Sequence, residues 1–179
     1  MHINYVTIKS TMKIPIVDQE DNIIGYKERE ETTREDIRRI VTLNIFNEKD
    51  EVLIAKRHAT KKLDPNMWGP AVEGTVDEGY DYDATVVKEA EEEVGLKNIR
   101  PVFYRKLFYE NAIARRFVSF YSVRIDSSEK LSLQEDEVAE IKWVNLPDLE
   151  KWAKEKPGDF LLSFPLKLEI IKEMYETQS

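Results

Sequence analysis

The chain contains no cysteine and only two histidines, His2 and His58. The first absence excludes disulfides, thiolate metal centres and a cysteine nucleophile. The second argues against a histidine-rich zinc site. Six glycines and seven prolines among 179 residues form no repeat and no flexible linker, so nothing divides the chain, and residues 1–179 are expected to form a single domain. A domain of this length buries roughly 70% of its unfolded surface and needs no covalent staple. The apolar runs are only a few residues long, and Met1 to Ser10 mixes polar and apolar residues without a signal-peptide core. Basic residues are outnumbered, 27 against 35 acidic ones, for a net charge of −8. That balance disfavours general nucleic-acid binding or attachment to a membrane surface. It leaves room for a small anion held by local basic clusters. A reducing, cytoplasmic setting is the expectation.

What is present reads as alternating strands and helices. Ile14 to Asp18 and Ile23 to Tyr26 flank the turn Asp21-Asn22 and predict a hairpin at about 12–28. Thr32 to Arg38 is charged and reads as a loop or short helix. Ile40 to Phe46 and Val52 to Arg57 are strands, Pro65 to Pro70 is loop-like, and Ala71 to Val76 is a short strand. Asp83 to Gly95 is helical, with Asp83 as the expected N-cap, Gly95 as the stop and Val87, Ala90 and Val94 as the buried stripe. Val102 to Tyr109, Phe117 to Ile125 and Ile141 to Val144 are further strands. Leu149 to Lys154 and Leu166 to Tyr175 are amphipathic helices, the second closing the domain at about 165–176. The fold class is α/β.

The chemistry is concentrated in Gly74 to Leu96. On a helix, Glu89, Glu92 and Glu93 stand at i, i+3 and i+4, so their carboxylates leave one face. Like charges this close repel unless a cation sits among them, and Mg²⁺, a hard ion with oxygen ligands, suits such a group. Taken alone, the same run also reads as a solvated face in which Lys88 pairs with Glu92. Its surroundings, Gly74 and Gly79 in a tight loop before the helix and Gly95 after it, favour the site.

This loop-helix resembles the Nudix box, G-x5-E-x7-R-E-U-x-E-E-x-G-U, where U is a bulky aliphatic residue. Gly74, Glu89, Glu92, Glu93, Gly95 and Leu96 match in register, while Tyr80 replaces the first Glu, Lys88 the Arg and Ala90 the aliphatic residue. The resemblance extends from about Asp18 to Val144. It implies an α/β/α sandwich with a mixed central sheet, the box loop-helix and a C-terminal helix. It also implies hydrolysis of a diphosphate linkage, with Mg²⁺ as cofactor and Mn²⁺ as an alternative. On this resemblance Glu92 and Glu93 are metal ligands, Glu89 is a ligand or the base that activates water, and Glu73, just before the box, adds a further ligand. Lys88 keeps the charge that orients Glu89. Glu137, in the acidic loop 134–137, is a second candidate base.

The chain resembles the isopentenyl-diphosphate isomerase side of the superfamily in Val17 to Gly25, in Lys56-Arg57 with Lys61-Lys62, and in Pro65-Asn66-Met67-Trp68. The isomerase chemistry does not carry over. Glu73 stands where the isomerase has its Cys, Thr75 where it has a box-loop His, and Arg115-Arg116 near its later Glu. Arg57, Lys61, Arg115 and Arg116 are the candidate substrate-binding residues, since guanidinium and ammonium groups match phosphate oxygens. Trp68, Tyr80 and Tyr82 are expected to pack, with stacking on a base as the alternative, and His58 is expected at the surface or in packing. The expected substrate is a nucleoside-diphosphate-linked or related phosphorylated small molecule. The alternatives are an isopentenyl-diphosphate isomerase and a non-catalytic Nudix-fold nucleotide-binding module. The sequence does not fix an oligomeric state; a homodimer is an alternative by analogy with the family alone.

Overall fold

A computed structural model describes residues 12–178. His2 and the stretch Met1 to Ser10 lie outside them. Nine strands and three α-helices follow in the order β1 (Lys13–Val17), β2 (Ile23–Glu28), β3 (Ile37–Phe46), β4 (Val52–Arg57), β5 (Trp68–Pro70), β6 (Val72–Thr75), α1 (Tyr82–Val94), β7 (Val102–Glu110), β8 (Arg115–Arg124), β9 (Val138–Val144), α2 (Leu146–Glu155) and α3 (Phe164–Gln178). Single 3₁₀ turns occupy Arg29–Glu31 and Pro157–Asp159. Two expectations change. The charged segment 32–38 is neither all loop nor helix, because its end already pairs as β3. The Trp68–Pro70 part of the expected loop is a strand, drawn into the sheet by pairing of Trp68 with Lys56.

β3 is the hub of one mixed sheet. It runs parallel to β8 from Ile37↔Arg115 to Phe46↔Arg124 and antiparallel to β1, β4 and β6. Its side chains alternate between faces, as the pleat requires. Val41, Leu43 and Ile45 face α1, where they pack with Val72, Val86, Ala90 and Val94. Ile40 and Phe46 face the other way, with Phe120 of β8, onto Leu149, Phe164, Ile170, Ile171 and Met174 of the layer made by α2 and α3. The result is the expected α/β/α sandwich. Each fully buried side chain of this size contributes about 1.5–3 kcal/mol by leaving water. β3 thus separates two cores, and β6, paired to it at Thr42↔Glu73 and Val41↔Gly74, places the start of the glycine loop between them.

Candidate active site

Local chemistry fixes α1 at both ends. Asp81, not Asp83, is the N-cap, its carboxylate accepting from the Ala84 amide at 2.8 Å. Asp83 lies inside the helix and accepts instead from the Tyr121 hydroxyl at 2.6 Å. Gly95 ends the helix in the left-handed conformation, at φ 74°. The buried row is Thr85, Val86, Ala90 and Val94, whereas Val87 is exposed. Val86, Ala90 and Val94, spaced by four, make one ridge against the sheet, and Val87 lies about 100° further round. This rotation turns Glu89 and Glu93 inward toward β6 and leaves Glu92 half-exposed at the rim.

The contact between α1 and β6 is close because Gly74 has no side chain. A Cβ there would lie 2.3 Å from the carboxylate carbon of Glu89. One residue earlier, the Glu73 amide donates to the Glu93 carboxylate at 3.1 Å. The loop before β9 is tied to the end of the same helix, the Ser132 amide donating to the Val94 carbonyl at 3.0 Å and the Gln134 amide to the Glu93 carbonyl at 3.1 Å. The Glu137 carbonyl accepts from the His58 amide at 2.8 Å, which fastens that loop to the end of β4. Glu73, Glu93, Glu137 and Arg57, from four separate segments, therefore line one cleft of about 40 Å³.

The charges in this cleft sort into pairs. Lys88 reaches Glu92 at 2.9 Å, Glu89 at 3.3 Å and Asp77 at 3.5 Å. Lys61 pairs with Glu137 and Lys167, from α3, with Glu73. Burial pushes Glu89 above the usual carboxylate range even with Lys88 beside it. Burial would also raise Glu73, but the Lys167 ammonium holds it below that range. Burial would lower Lys88, yet the carboxylates of Glu92 and Glu89 hold it above its ordinary value. Glu93 has no ion-pair partner among the described residues. Burial, followed by the nearby Glu89 and then Glu137 and Glu73, pushes its carboxyl well up, with only the Glu73 amide opposing.

A buried carboxylate ringed by other carboxylates and short of a cation is the donor set of a hard divalent ion. The residues fit Mg²⁺ in their chemistry. As the side chains stand, no three acidic or histidine side chains among the described residues converge closely enough to close on an ion. Each of Glu73, Glu89, Glu92 and Glu137 is instead paired with a lysine, Glu73 with the buried Lys167 and the others with Lys88 or Lys61.

The expected substrate-binding residues separate. Arg57 sits on the wall of the cleft and donates from its Nε to the Leu63 carbonyl at 3.1 Å. Lys61 stands at the rim with Glu137. Arg116 points to the α3 side of the sheet, into a second small cleft that it shares with Glu73, Tyr109, Leu166 and Lys167. Arg115, its neighbour on the strand, faces the other way and bonds the Glu35 carbonyl at 3.4 Å, with Glu110 at 3.7 Å. Trp68 is buried against Trp152, with ring centroids 5.3 Å apart. The Tyr82 hydroxyl donates to Asp21 and its ring carries Arg39 and Lys106. Both are packing residues, and Tyr80 alone of the three aromatics is exposed. Lys167 was not expected from the sequence. Its signal is a lysine set in the apolar stripe Phe164, Ile170, Ile171 and Met174.

A model of the NUDIX domain family matches residues 36–164. The chain is 30% identical over 151 residues to a prenyl-diphosphate phosphatase of Methanosarcina mazei, covering 80% of this chain and 85% of the relative. It is 27% identical over 154 residues to an isopentenyl-diphosphate Delta-isomerase 2 of Photorhabdus laumondii, covering 83% and 86%. The crystal structure of DR0079 from Deinococcus radiodurans superposes with a TM-score of 0.72 at 20% identity, covering 91% of this chain and 99% of that one. The in-register box, the sandwich that presents it and these matches agree: this chain belongs to the Nudix hydrolase superfamily.

Proposed function

We propose that the chain hydrolyses the diphosphate linkage of a small molecule with Mg²⁺, and that its substrate class is a prenyl diphosphate. The observation that carries the reading is the cleft itself, lined by Glu73, Glu93, Glu137 and Arg57, with Glu89 near the buried Glu93 carboxylate. Glu89, Glu92, Glu93 and Glu73 would hold the metal, which supplies charge neutralisation on phosphate oxygens and a more acidic water. Lys88 fixes Glu89 and Glu92 from their outer side, so the exchange of Arg for Lys at the box position keeps the orienting charge. Glu89 or Glu137 would take the proton of the attacking water. The water oxygen bonds to phosphorus, the bridging P–O bond breaks, and the departing phosphate carries away the bond's electrons.

The prenyl reading draws support from the Methanosarcina relative's name. Trp68 and Tyr82 are committed to packing, which weakens the reading as a nucleoside-linked substrate. Isomerisation lacks its groups here, since Glu73, Thr75 and Arg115-Arg116 stand in their places.

The test is release of phosphate by the purified chain, with Mg²⁺ and with Mn²⁺, from prenyl diphosphates, nucleotide sugars, dinucleotides and nucleoside triphosphates. A prenyl monophosphate plus inorganic phosphate is the expected product pair. Hydrolysis confined to the nucleotides would overturn the substrate class. Conversion of isopentenyl to dimethylallyl diphosphate would establish the isomerase. Tight binding without turnover of any compound would leave the chain a binding module.

A further inference from the structure

Lys167 occupies a place where the helix wants a hydrocarbon. Along α3 the buried row is Phe164, Lys167, Ile170, Ile171 and Met174, and Lys167 is only 3% exposed. Replacing a buried ion pair by apolar residues is commonly neutral or stabilising, so packing alone gives no reason for an ammonium there. An ammonium has three donors, and among the described residues its ion-pair partner is the Glu73 carboxylate alone. The other charges near it, Arg116 and Arg57, are cations that repel it. Arg116 lines the same cleft, and its buried Nε has no hydrogen-bond partner. A buried cation with spare donors, next to a guanidinium with an orphaned N–H, points to an anion.

Glu73 is the hinge of the arrangement. It lines both clefts, with Glu93 on one side and Arg116 and Lys167 on the other. A cation shared by Glu73 and Glu93 would therefore adjoin an anion held by Lys167 and Arg116, which is the juxtaposition a metal-bound diphosphate needs.

Resting on the diphosphate-hydrolase reading above, we infer that Lys167 is a phosphate-binding residue: it guards the Glu73 carboxylate until metal and substrate arrive, then transfers its ammonium to a phosphate oxygen. Lys167 thereby couples the two ligands. Metal on Glu73 releases the lysine for phosphate, and phosphate on the lysine leaves Glu73 open to metal.

The experiment uses the full chain, its variants Lys167→Met, Lys167→Arg and Glu73→Gln, and the non-hydrolysable methylenediphosphonate as probe. Calorimetric titration with Mn²⁺ alone, with the diphosphonate alone and with both gives the three affinities. Lys167→Met should weaken diphosphonate binding at least tenfold and raise KM more than it lowers kcat, with Mn²⁺ binding unchanged or tighter. Lys167→Arg should restore most of the anion affinity. Glu73→Gln, which frees the lysine without altering it, should tighten metal-free binding of the diphosphonate about fivefold. Equal diphosphonate binding by wild type and Lys167→Met, with only a lowered melting temperature, would overturn the inference. If Lys167→Met does not fold, unchanged diphosphonate affinity in Glu73→Gln overturns it equally. A wild-type chain that binds the probe through Lys167 yet turns over no diphosphate would sink the hydrolase reading and leave the anion site standing.

Discussion

Two of the charge groups among the described residues are built on opposite plans. Around Asp21, in the hairpin turn between β1 and β2, one carboxylate receives Arg39 at 2.8 Å, the Tyr82 hydroxyl at 3.1 Å and Lys106. The Tyr82 ring lies under both cations, 5.3 Å from the Arg39 guanidinium carbon and 5.4 Å from Lys106. Every group there has a partner, and the cluster pins the hairpin to α1 and β7. Between α1, β6 and α3 the balance is reversed. Carboxylates crowd together and, among the described residues, Glu93 has no ion-pair partner and Arg116 Nε has no acceptor. A charge network that only holds a fold together can be completed within the chain. On the proposed function, the unmatched charges of the second group are those that metal and substrate would complete.

The largest effect that would sharpen this contrast is on activity. Glu93→Gln should lower kcat/KM at least a thousandfold while circular dichroism and melting stay near wild type. Removal of a metal ligand forfeits several kcal/mol of charge stabilisation. Glu92→Gln should act in the same direction. A Glu93→Gln protein that retained a tenth of wild-type turnover would break the assignment. Asp21→Asn should do the reverse. It leaves Arg39 and Lys106 without their anion at a largely buried site, a loss of about 3 kcal/mol in urea unfolding, with per-molecule activity nearly unchanged. If activity fell in step with stability, the two networks would not be separable.

Gly74→Ala comes next. Its methyl would occupy the space of the Glu89 carboxylate, 2.3 Å from its carbon, and overpacking of that kind costs about 1–3 kcal/mol. The expected outcome is a ten- to hundredfold fall in kcat with a modest loss of melting temperature. Lys88→Met, which removes the cation between Glu89 and Glu92, should reduce turnover about tenfold. Lys88→Arg should retain or raise it, because a guanidinium can grip both carboxylates. Steady-state kinetics on the pair decides whether charge or fork geometry matters.

The smallest effect concerns a purely structural carboxylate. Burial would raise Asp36, but Lys27 at 2.7 Å and the Thr33 amide at 2.8 Å hold it below its ordinary value. A depressed folded value means that its stabilisation is present above the unfolded value near 3.9 and is lost as pH falls through the folded one. Asp36→Asn should therefore flatten the acid limb of a stability-against-pH curve below about pH 4. A limb of unchanged steepness would show that other carboxylates carry it.

Much of this was legible in the chain because it is local. The spacing of Glu89, Glu92 and Glu93 and the glycine at position 95 foretold a helix with an acidic face and an abrupt end. The strand read at Ile40 to Phe46 lies within β3, the hub of the sheet. Where the reading slipped, local rules left a near tie. Asp81 and Asp83 are both acceptable caps; Asp81 takes the Ala84 amide, while Asp83 accepts from Tyr121 of β8. Val86 and Val87 both extend a helical stripe, and docking on β6 and β3 chose the first. Trp68–Pro70 became a strand only because the end of β4 offered it an edge.

The sequence by itself determined the family, the register of the box, and which carboxylates share a helix, since residues three and four apart on a helix must lie on one face. Tertiary structure alone decided which of them are enclosed, that Arg115 and Arg116 part to opposite faces of β8, that Glu137 reaches the cleft, and that a lysine of α3 is enclosed against Glu73. Those facts depend on how separate segments are brought together by burial of their apolar faces. Burial is non-directional along the chain, and no local period records which distant segment will be opposite.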